Sequence, residues 1–214
     1  MCLLDELIWF PPVEYAMPDG LLAAGGDLNP ERLLLAYRSG IFPWYNEDEI
    51  PLWWSPDPRF VLFPGELKVS KSMQRTIKKG SFEFTVNEAF EEVIANCAGA
   101  KRKGMDGTWI GNDIIDAYTA LHRLGYAHSA ETWENGILVG GLYGILLGNV
   151  FFGESMFSKA DNASKFAFIM WVQELKARGI VLIDCQVYTA HLESLGARMI
   201  SRTDFMEMLR THVP

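Results

Sequence analysis

The sequence predicts an α/β fold of the mixed α+β kind, a mixed sheet flanked by helices, with a small domain in front of it. Three observations predict it. Between Val150 and Gln186 the chain reads as strand, helix, strand, and the second strand is a buried apolar run that closes on Asp184-Cys185-Gln186. Upstream, His128 to Phe157 carries two tight-turn signals, Asn135-Gly136 and Gly148-Asn149, which divide it into a three-strand meander. Residues 1–64 are rich in Pro, Gly and Trp and hold one clear helical pattern, too little to build a core alone. We therefore expect a small N-terminal domain, residues 1–64, packed on a larger domain of residues 65–214.

The N-terminal helix runs from Pro30 to Ser39, with Asn29 as its N-cap, Pro30 at the first turn and Gly40 past its end. The rest of that segment, including FPPVEY, FPWY and WWSPDPR, is expected to be irregular. Ser70 to Lys79 is a helix and Phe82 to Val86 a strand; Asn87 is expected to cap a helix that ends near Cys97. A basic loop then leads to a helix from Asn112 to Leu124, ended by Gly125. After the meander comes a helix from about Asn162 to Arg178, then a strand from Val181 to Cys185. Short helices over Thr189–Leu195 and Thr203–Arg210 complete the chain.

Composition narrows the function classes. A 214-residue chain that is 49% hydrophobic and 21% charged can bury a substantial core. Cys2, Cys97 and Cys185 are odd in number and widely spaced, so no disulfide frame is expected. The longest apolar run, Ile137 to Phe152, is too short to span a bilayer and is broken by glycines. The N-terminus has no basic region and carries Asp5 and Glu6, so the expected location is the cytoplasm. The net charge of −8 argues against a polyanionic partner, but the charge is unevenly spread. Acids crowd the first fifty residues, whereas Lys68, Lys71, Arg75, Lys78, Lys79 and Lys101 to Lys103 form basic stretches. Screening within about 10 Å lets such a patch act locally.

Asp184 and Gln186 lie two apart on a strand, so their side chains share a face. A helix-capping carboxylate beside a surface amide is the plain alternative, yet a charge ending an apolar strand is costly unless it is paired or used. Gln186 can align an amine but cannot serve as a base near neutral pH. That suits aminolysis of an activated ester, because an α-amine of pKa about 7.7–8.0 is partly neutral at pH 7. Glu154, alone in an apolar strand, is either a structural ion-pair partner or the group that receives a cationic acceptor. Cys185 is read as packing on the opposite face.

Trp44, Trp53, Trp54 and Trp109 sit in loop-like sequence. Core plugs are the commoner use of such residues, and a pair that clamps an RNA base is the sharper one. On the helix KSMQRTIKK, Lys71, Arg75 and Lys78 share a face with Lys79 beside it, which makes either a solvated face or a phosphate track. A GxSxG motif, a metal-ligand spacing of His122, His128, His191 and His212, and a phosphate loop after GGDLNP are all missing. No metal is therefore expected.

Meander, helix, strand, helix is the element order of the acetyl-CoA-dependent N-acetyltransferase (GNAT) superfamily core. Those enzymes hold CoA pyrophosphate at a Gly-rich turn opening the helix. Here the turn reads FSKADNASK and contains no glycine. The blocks GLLAAGGDLNPERLLLAYRSGIFPWY, LWWSPDPRFVL, GTWI, AHSAETW, LVGGLYG, FFGESMFS, NASK and LIDCQ, in that order, resemble the leucyl/phenylalanyl-tRNA–protein transferase family.

The resemblance implies a GNAT-like acyltransferase core that moves Leu, Phe or Met from aminoacyl-tRNA to proteins beginning with Lys or Arg. The product is marked for proteolysis under the N-end rule. It implies no cofactor, since the donor is an RNA ester, no membrane, and a monomer. Trp44 and Trp109 would sandwich the terminal adenosine; Asp184 and Gln186 would align the amine, and Glu154 would hold the acceptor. Leu142, Met156, Trp171, Leu175 and Ile183 would line the side-chain pocket, and Lys71, Arg75, Lys78 and Lys79 would meet the acceptor stem. Trp171 is larger than the phenylalanine the family implies there, so a tighter pocket that prefers Leu or Met over Phe is expected. Either Asp184 polarises Gln186, or the protein orients both substrates while a tRNA hydroxyl shuttles the proton. A CoA-dependent N-acetyltransferase and a non-catalytic acceptor-stem binding module are the alternatives.

Overall fold

A computed structural model of the chain describes residues 1–46, 49–100 and 110–214. The strands are β1 Cys2–Leu4, β2 Leu21–Gly25, β3 Phe42–Pro43, β4 Leu52–Trp54, β5 Arg59–Leu62, β6 Glu83–Val86, β7 Ala127–Glu134, β8 Ile137–Leu147, β9 Val150–Ser158, β10 Leu182–Gln186 and β11 Arg198–Ile200. The helices are α1 Pro30–Arg38, α2 Lys71–Lys79, α3 Phe90–Ala98, α4 Asn112–Arg123, α5 Ala163–Ala177, α6 Ala190–Ser194 and α7 Arg202–His212.

A small sheet of order β1-β2-β4-β3 stands beside a large one of order β11-β5-β10-β9-β8-β7-β6. The mixed sheet with flanking helices is therefore present. Its meander β7-β8-β9 is antiparallel, whereas β9 and β10 are parallel, as the α5 crossover between them requires. The large sheet is covered on both faces. Along β9 and β10 the side chains alternate: Val150, Phe152 and Leu182 enter one core with α3 and α4. Phe151 and Ile183 enter the other with α5 and Met73 of α2. Each fully buried Leu, Ile or Phe adds about 1.5–3 kcal/mol over an exposed one.

The N-terminal segment is more regular than its sequence suggests. Four of its five strands form the small sheet, and their lengths of two to five residues are too short for an alternation to show. β5 lies before residue 64 yet is a strand of the large sheet, between β10 and β11. β11 is an addition to the expected elements, and at three residues it is too short for an alternation to mark it. Asn87 does not cap α3, whose N-cap is Ala89. It takes a positive φ of 63° instead, and its Oδ1 accepts from the Ser129 N–H at 2.9 Å, closing the end of β6 against β7.

One close approach sets where α5 begins. A Cβ on Gly140 of β8 would stand 2.6 Å from the Ala163 Cβ, so only glycine lets the first turn of α5 rest on the strand. Thr132 of β7 fixes that contact by donating to the Ala163 carbonyl at 2.9 Å. The helix start is thereby held against the open end of the β9–β10 pair.

Candidate active site

The site grows out of two local irregularities on neighbouring strands. β9 and β10 pair only through Val150–Phe152 and Leu182–Asp184, and then part. Just beyond, β9 bulges against β8: Tyr143 faces Ser155 and Gly144 faces Gly153, so Glu154 is the extra residue. Such a bulge re-aims a side chain. β10 shifts register between Asp184 and Gln186, and Gln186 takes a φ of 63°. The two distortions bring the Gln186 amide to the Glu154 carboxylate, Nε2 donating to Oε1 at 2.9 Å.

Glu154 has further donors. The Tyr37 hydroxyl of α1 donates to its Oε1 at 2.7 Å, and the Tyr118 hydroxyl of α4 to its Oε2 at 3.2 Å. The two hydroxyls also contact each other. Burial is the main force on this carboxyl and lifts its pKa from 4.5 to about 7, the charge of Asp184 adding to it and the Tyr37, Tyr118 and Gln186 donors pulling it back. Burial, followed by the charge of Glu154, pushes both tyrosines well above their ordinary range. Glu154 is thus a largely buried carboxyl that gains or loses a proton near neutrality.

Asp184 is built differently. It is 0% exposed, and Arg59 of β5 grips it with both prongs, Nε to Oδ1 at 2.8 Å and Nη2 to Oδ2 at 2.7 Å. Its remaining contact is the backbone N–H of Gln186, at 2.9 Å to Oδ1. The expectation that Asp184 polarises the Gln186 side chain therefore does not match the geometry. Its oxygens are occupied by a guanidinium and a backbone amide, and the Gln186 side chain turns to Glu154.

These groups stand at one side of a cavity of about 520 Å³. Leu142, Phe151, Met156, Phe168 and Ile183 form an apolar wall, and Phe42, Pro43 and Trp44 of the small sheet's β3 end form another. Trp44 is 36% exposed; Trp54 donates its indole N–H to the Trp44 carbonyl at 2.6 Å, with ring centroids 5.7 Å apart. Trp53 is a core plug, fully buried with its N–H on the Gly25 carbonyl.

Of the residues expected to line a side-chain pocket, Leu142, Met156 and Ile183 line this cavity. Trp171 and Leu175 do not: both are buried in the core one layer behind, on the α5 face turned to the sheet. Trp171 meets the lining residue Phe151 edge-on at 5.6 Å. Its bulk can therefore narrow the cavity indirectly, by pressing on Phe151. Cys185, read as packing, is 9% exposed and also contributes to the lining. Lys71, Arg75, Lys78 and Lys79 all lie exposed on α2, away from its buried Met73, and none lines the cavity. Trp109 and Lys101 to Lys103 lie outside the described residues.

Sequence reasoning missed Arg59, Tyr37, Tyr118, Phe151 and Phe168. An arginine in WWSPDPR and single tyrosines inside two helices carry no local mark of a shared site. Only Phe151, next to a strand already singled out, could have been found by alternation. Among the described residues no group of His, Cys, Asp and Glu is placed to hold a metal ion, and no helix is long and apolar enough to cross a membrane.

Residues 61–210 match the family model described as leucyl/phenylalanyl-tRNA protein transferase, and residues 26–57 match that of its N-terminal domain. The chain belongs to the leucyl/phenylalanyl-tRNA–protein transferase family. These enzymes are aminoacyltransferases. A transferase of that name from Flavobacterium johnsoniae is 58% identical over 99% of this chain and 100% of its own length. One from Syntrophobacter fumaroxidans is 57% identical over 99% of this chain and 90% of its own. Among solved structures, a GCN5-related N-acetyltransferase from Kribbella flavida overlaps with a TM-score of 0.41 at 10% identity, covering 77% of this chain and 58% of that one. In this chain the blocks FFGESMFS and LIDCQ fall on β9 and β10, the two strands that supply Glu154, Asp184 and Gln186.

Proposed function

We propose that this chain moves leucine, phenylalanine or methionine from aminoacyl-tRNA to the α-amine of proteins beginning with Lys or Arg. The added residue then marks the acceptor for degradation. One observation carries the reading: a single cavity joins an apolar wall, an exposed tryptophan at its edge and the Glu154–Gln186 pair. An ester with an apolar side chain, a nucleobase and an amine each have a matching surface there.

In this reaction the amine nitrogen attacks the ester carbonyl carbon. The new C–N bond forms as the C–O bond to the terminal ribose breaks, and the ribose oxygen leaves with its electron pair and takes up a proton. Glu154 holds the incoming ammonium and receives the first of the two protons that the nitrogen loses, which frees its lone pair; the second passes to the leaving ribose oxygen. Gln186, whose N–H is spent on Glu154, keeps its Oε1 to accept from the amine. Trp44 stacks on the terminal adenosine with Trp109 opposite it, and Leu142, Met156, Phe151, Phe168 and Ile183 receive the transferred side chain. Lys71, Arg75, Lys78 and Lys79 meet the acceptor-stem phosphates. Asp184 fixes the kink that presents Gln186.

The start of α5 supports an RNA ester over CoA as donor. Its Ser164 N–H is already taken by the Ser158 hydroxyl at 3.2 Å, and the Ala163 N–H by the Ala160 carbonyl. Few free N–H groups remain for a pyrophosphate. The test is transfer of labelled leucine from Leu-tRNA to a peptide beginning with Arg, beside an N-acetylated copy. Label on the free-amine peptide alone supports the reading; transfer from acetyl-CoA but not from Leu-tRNA overturns it.

A further inference from the structure

We propose that Arg59 is a positioning residue for the transfer step, acting through Asp184 on the backbone kink that presents Gln186; this rests on the function proposed above.

Arg59 lies on β5 and does not itself line the cavity, although it touches Asp184 and Phe42, which do. It is 1% exposed and makes five contacts with three parts of the molecule. Two donors go to Asp184, and Nη1 donates to the Gly40 carbonyl at 3.3 Å. Its flat faces lie 4.7 Å from the rings of Phe42 and of Phe205 in α7. Gly40 and Phe42 lead directly into Pro43 and Trp44, the small sheet's side of the cavity. One guanidinium therefore ties that wall to the end of β10 opposite.

The link to Gln186 is short and specific. Asp184 Oδ1 accepts both the Arg59 Nε–H and the Gln186 backbone N–H. That backbone N–H belongs to a residue at φ 63°, a conformation a glutamine adopts only when its surroundings impose it. Without the guanidinium, the Asp184 carboxylate would be a buried unpaired charge and would turn toward water or take a proton. Its grip on the kink would go with it, and so would the aim of the Gln186 amide at Glu154. An ordinary buried ion pair would only stabilise the fold. This pair also sets the direction of a group inside the cavity.

A double-mutant cycle separates the two roles. Arg59→Met and Gln186→Leu are made singly and together, and kcat and KM for Leu-tRNA and an Arg-peptide are measured on folded protein. If Arg59 acts through Gln186, each single change lowers kcat by about 10²-fold, the scale set by a misplacement of about 1 Å. The double variant is then no slower than Gln186→Leu. Losses that multiply, or a large loss in Arg59→Met beside none in Gln186→Leu, overturn the proposal.

Arg59→Met leaves Asp184 unpaired and can prevent folding, so Arg59→Lys carries the same test with the charge kept and the two-pronged geometry lost. A second readout needs no transfer activity. Of the two Gln186 side-chain amide protons, assigned by their loss in Gln186→Leu, the one that donates to the Glu154 carboxyl should sit downfield in the wild-type NMR spectrum. It should return to the solvent-exposed position in Arg59→Lys. An unmoved amide signal overturns the proposal even if the chain transfers no leucine at all, while a moved signal without transfer supports the geometric link and counts against the proposed activity.

Discussion

Glu154 and Gln186 are 32 positions apart and meet side chain to side chain across 2.9 Å. Each arrives there by a break in its own strand, a bulge in β9 and a left-handed residue ending β10. Regular strands would have carried both past one another. The pair is the narrowest point at which the chemistry can be tested.

Glu154→Gln should lower kcat by about 10²–10⁴-fold, the usual span for general acid–base help. With Glu154 present, the rate should climb as pH rises through about 7, because only the deprotonated carboxyl can take the proton. The limb should vanish in the variant. A pH–rate profile in kcat with an unchanged limb in Glu154→Gln would show that the limb belongs to the acceptor amine.

The same carboxyl gives a stability signature of opposite sign. Its folded pKa lies above its unfolded one, so between about 4.5 and 7 the folded state holds a proton that the unfolded state has lost. The contribution of Glu154 to stability is whole below that window and disappears as pH rises through it. The difference in Tm between wild type and Glu154→Gln should therefore move against the wild type from pH 4.5 to 7.5. Differential scanning calorimetry at several pH values checks the direction.

Trp54→Phe keeps a ring beside Trp44 but removes the indole N–H that holds the Trp44 carbonyl at 2.6 Å. The platform should loosen by roughly the worth of one hydrogen bond, about 0.5–1.5 kcal/mol. KM for aminoacyl-tRNA should rise about threefold to tenfold with kcat nearly unchanged. Trp53→Phe, in the core, should instead lower Tm and leave KM alone.

Phe151 stands between Trp171 and the cavity, so pocket size should respond to Phe151 before Trp171. Phe151→Leu should raise transfer of phenylalanine relative to leucine, by about 10–200-fold at most for a pocket contact of this size. Competition between Leu-tRNA and Phe-tRNA measures the ratio. If Trp171→Phe shifts that ratio more than Phe151→Leu does, the layer order argued from the core is wrong.

The large sheet was legible because its strands are long enough to alternate and its turns carry Asn-Gly and Gly-Asn. The small sheet was not, since strands such as Phe42–Pro43 hold no period. At the site, Glu154 and Asp184 stood out as lone acids in apolar strands, an imbalance that sequence displays. Their partners did not: Tyr37, Tyr118 and Arg59 reach them over 117, 36 and 125 positions, and nothing local marks such distant meetings. Roles were harder still. Asp184 and Glu154 look alike in sequence, and only the guanidinium on one and the hydroxyls on the other tell an anchor from a proton acceptor.

β5 has a consequence for synthesis. It is made early, yet its two neighbours in the sheet, β10 and β11, are among the last strands translated. Arg59 must wait for Asp184, 125 positions later, before its charge is matched. A growing or truncated chain that stops short of β11 leaves an edge of the sheet unfilled, and loop closure over that span comes late and slowly. A transferase cut short of β10 should therefore fail altogether, because that one strand both carries Asp184 and Gln186 and fills the sheet between β5 and β9.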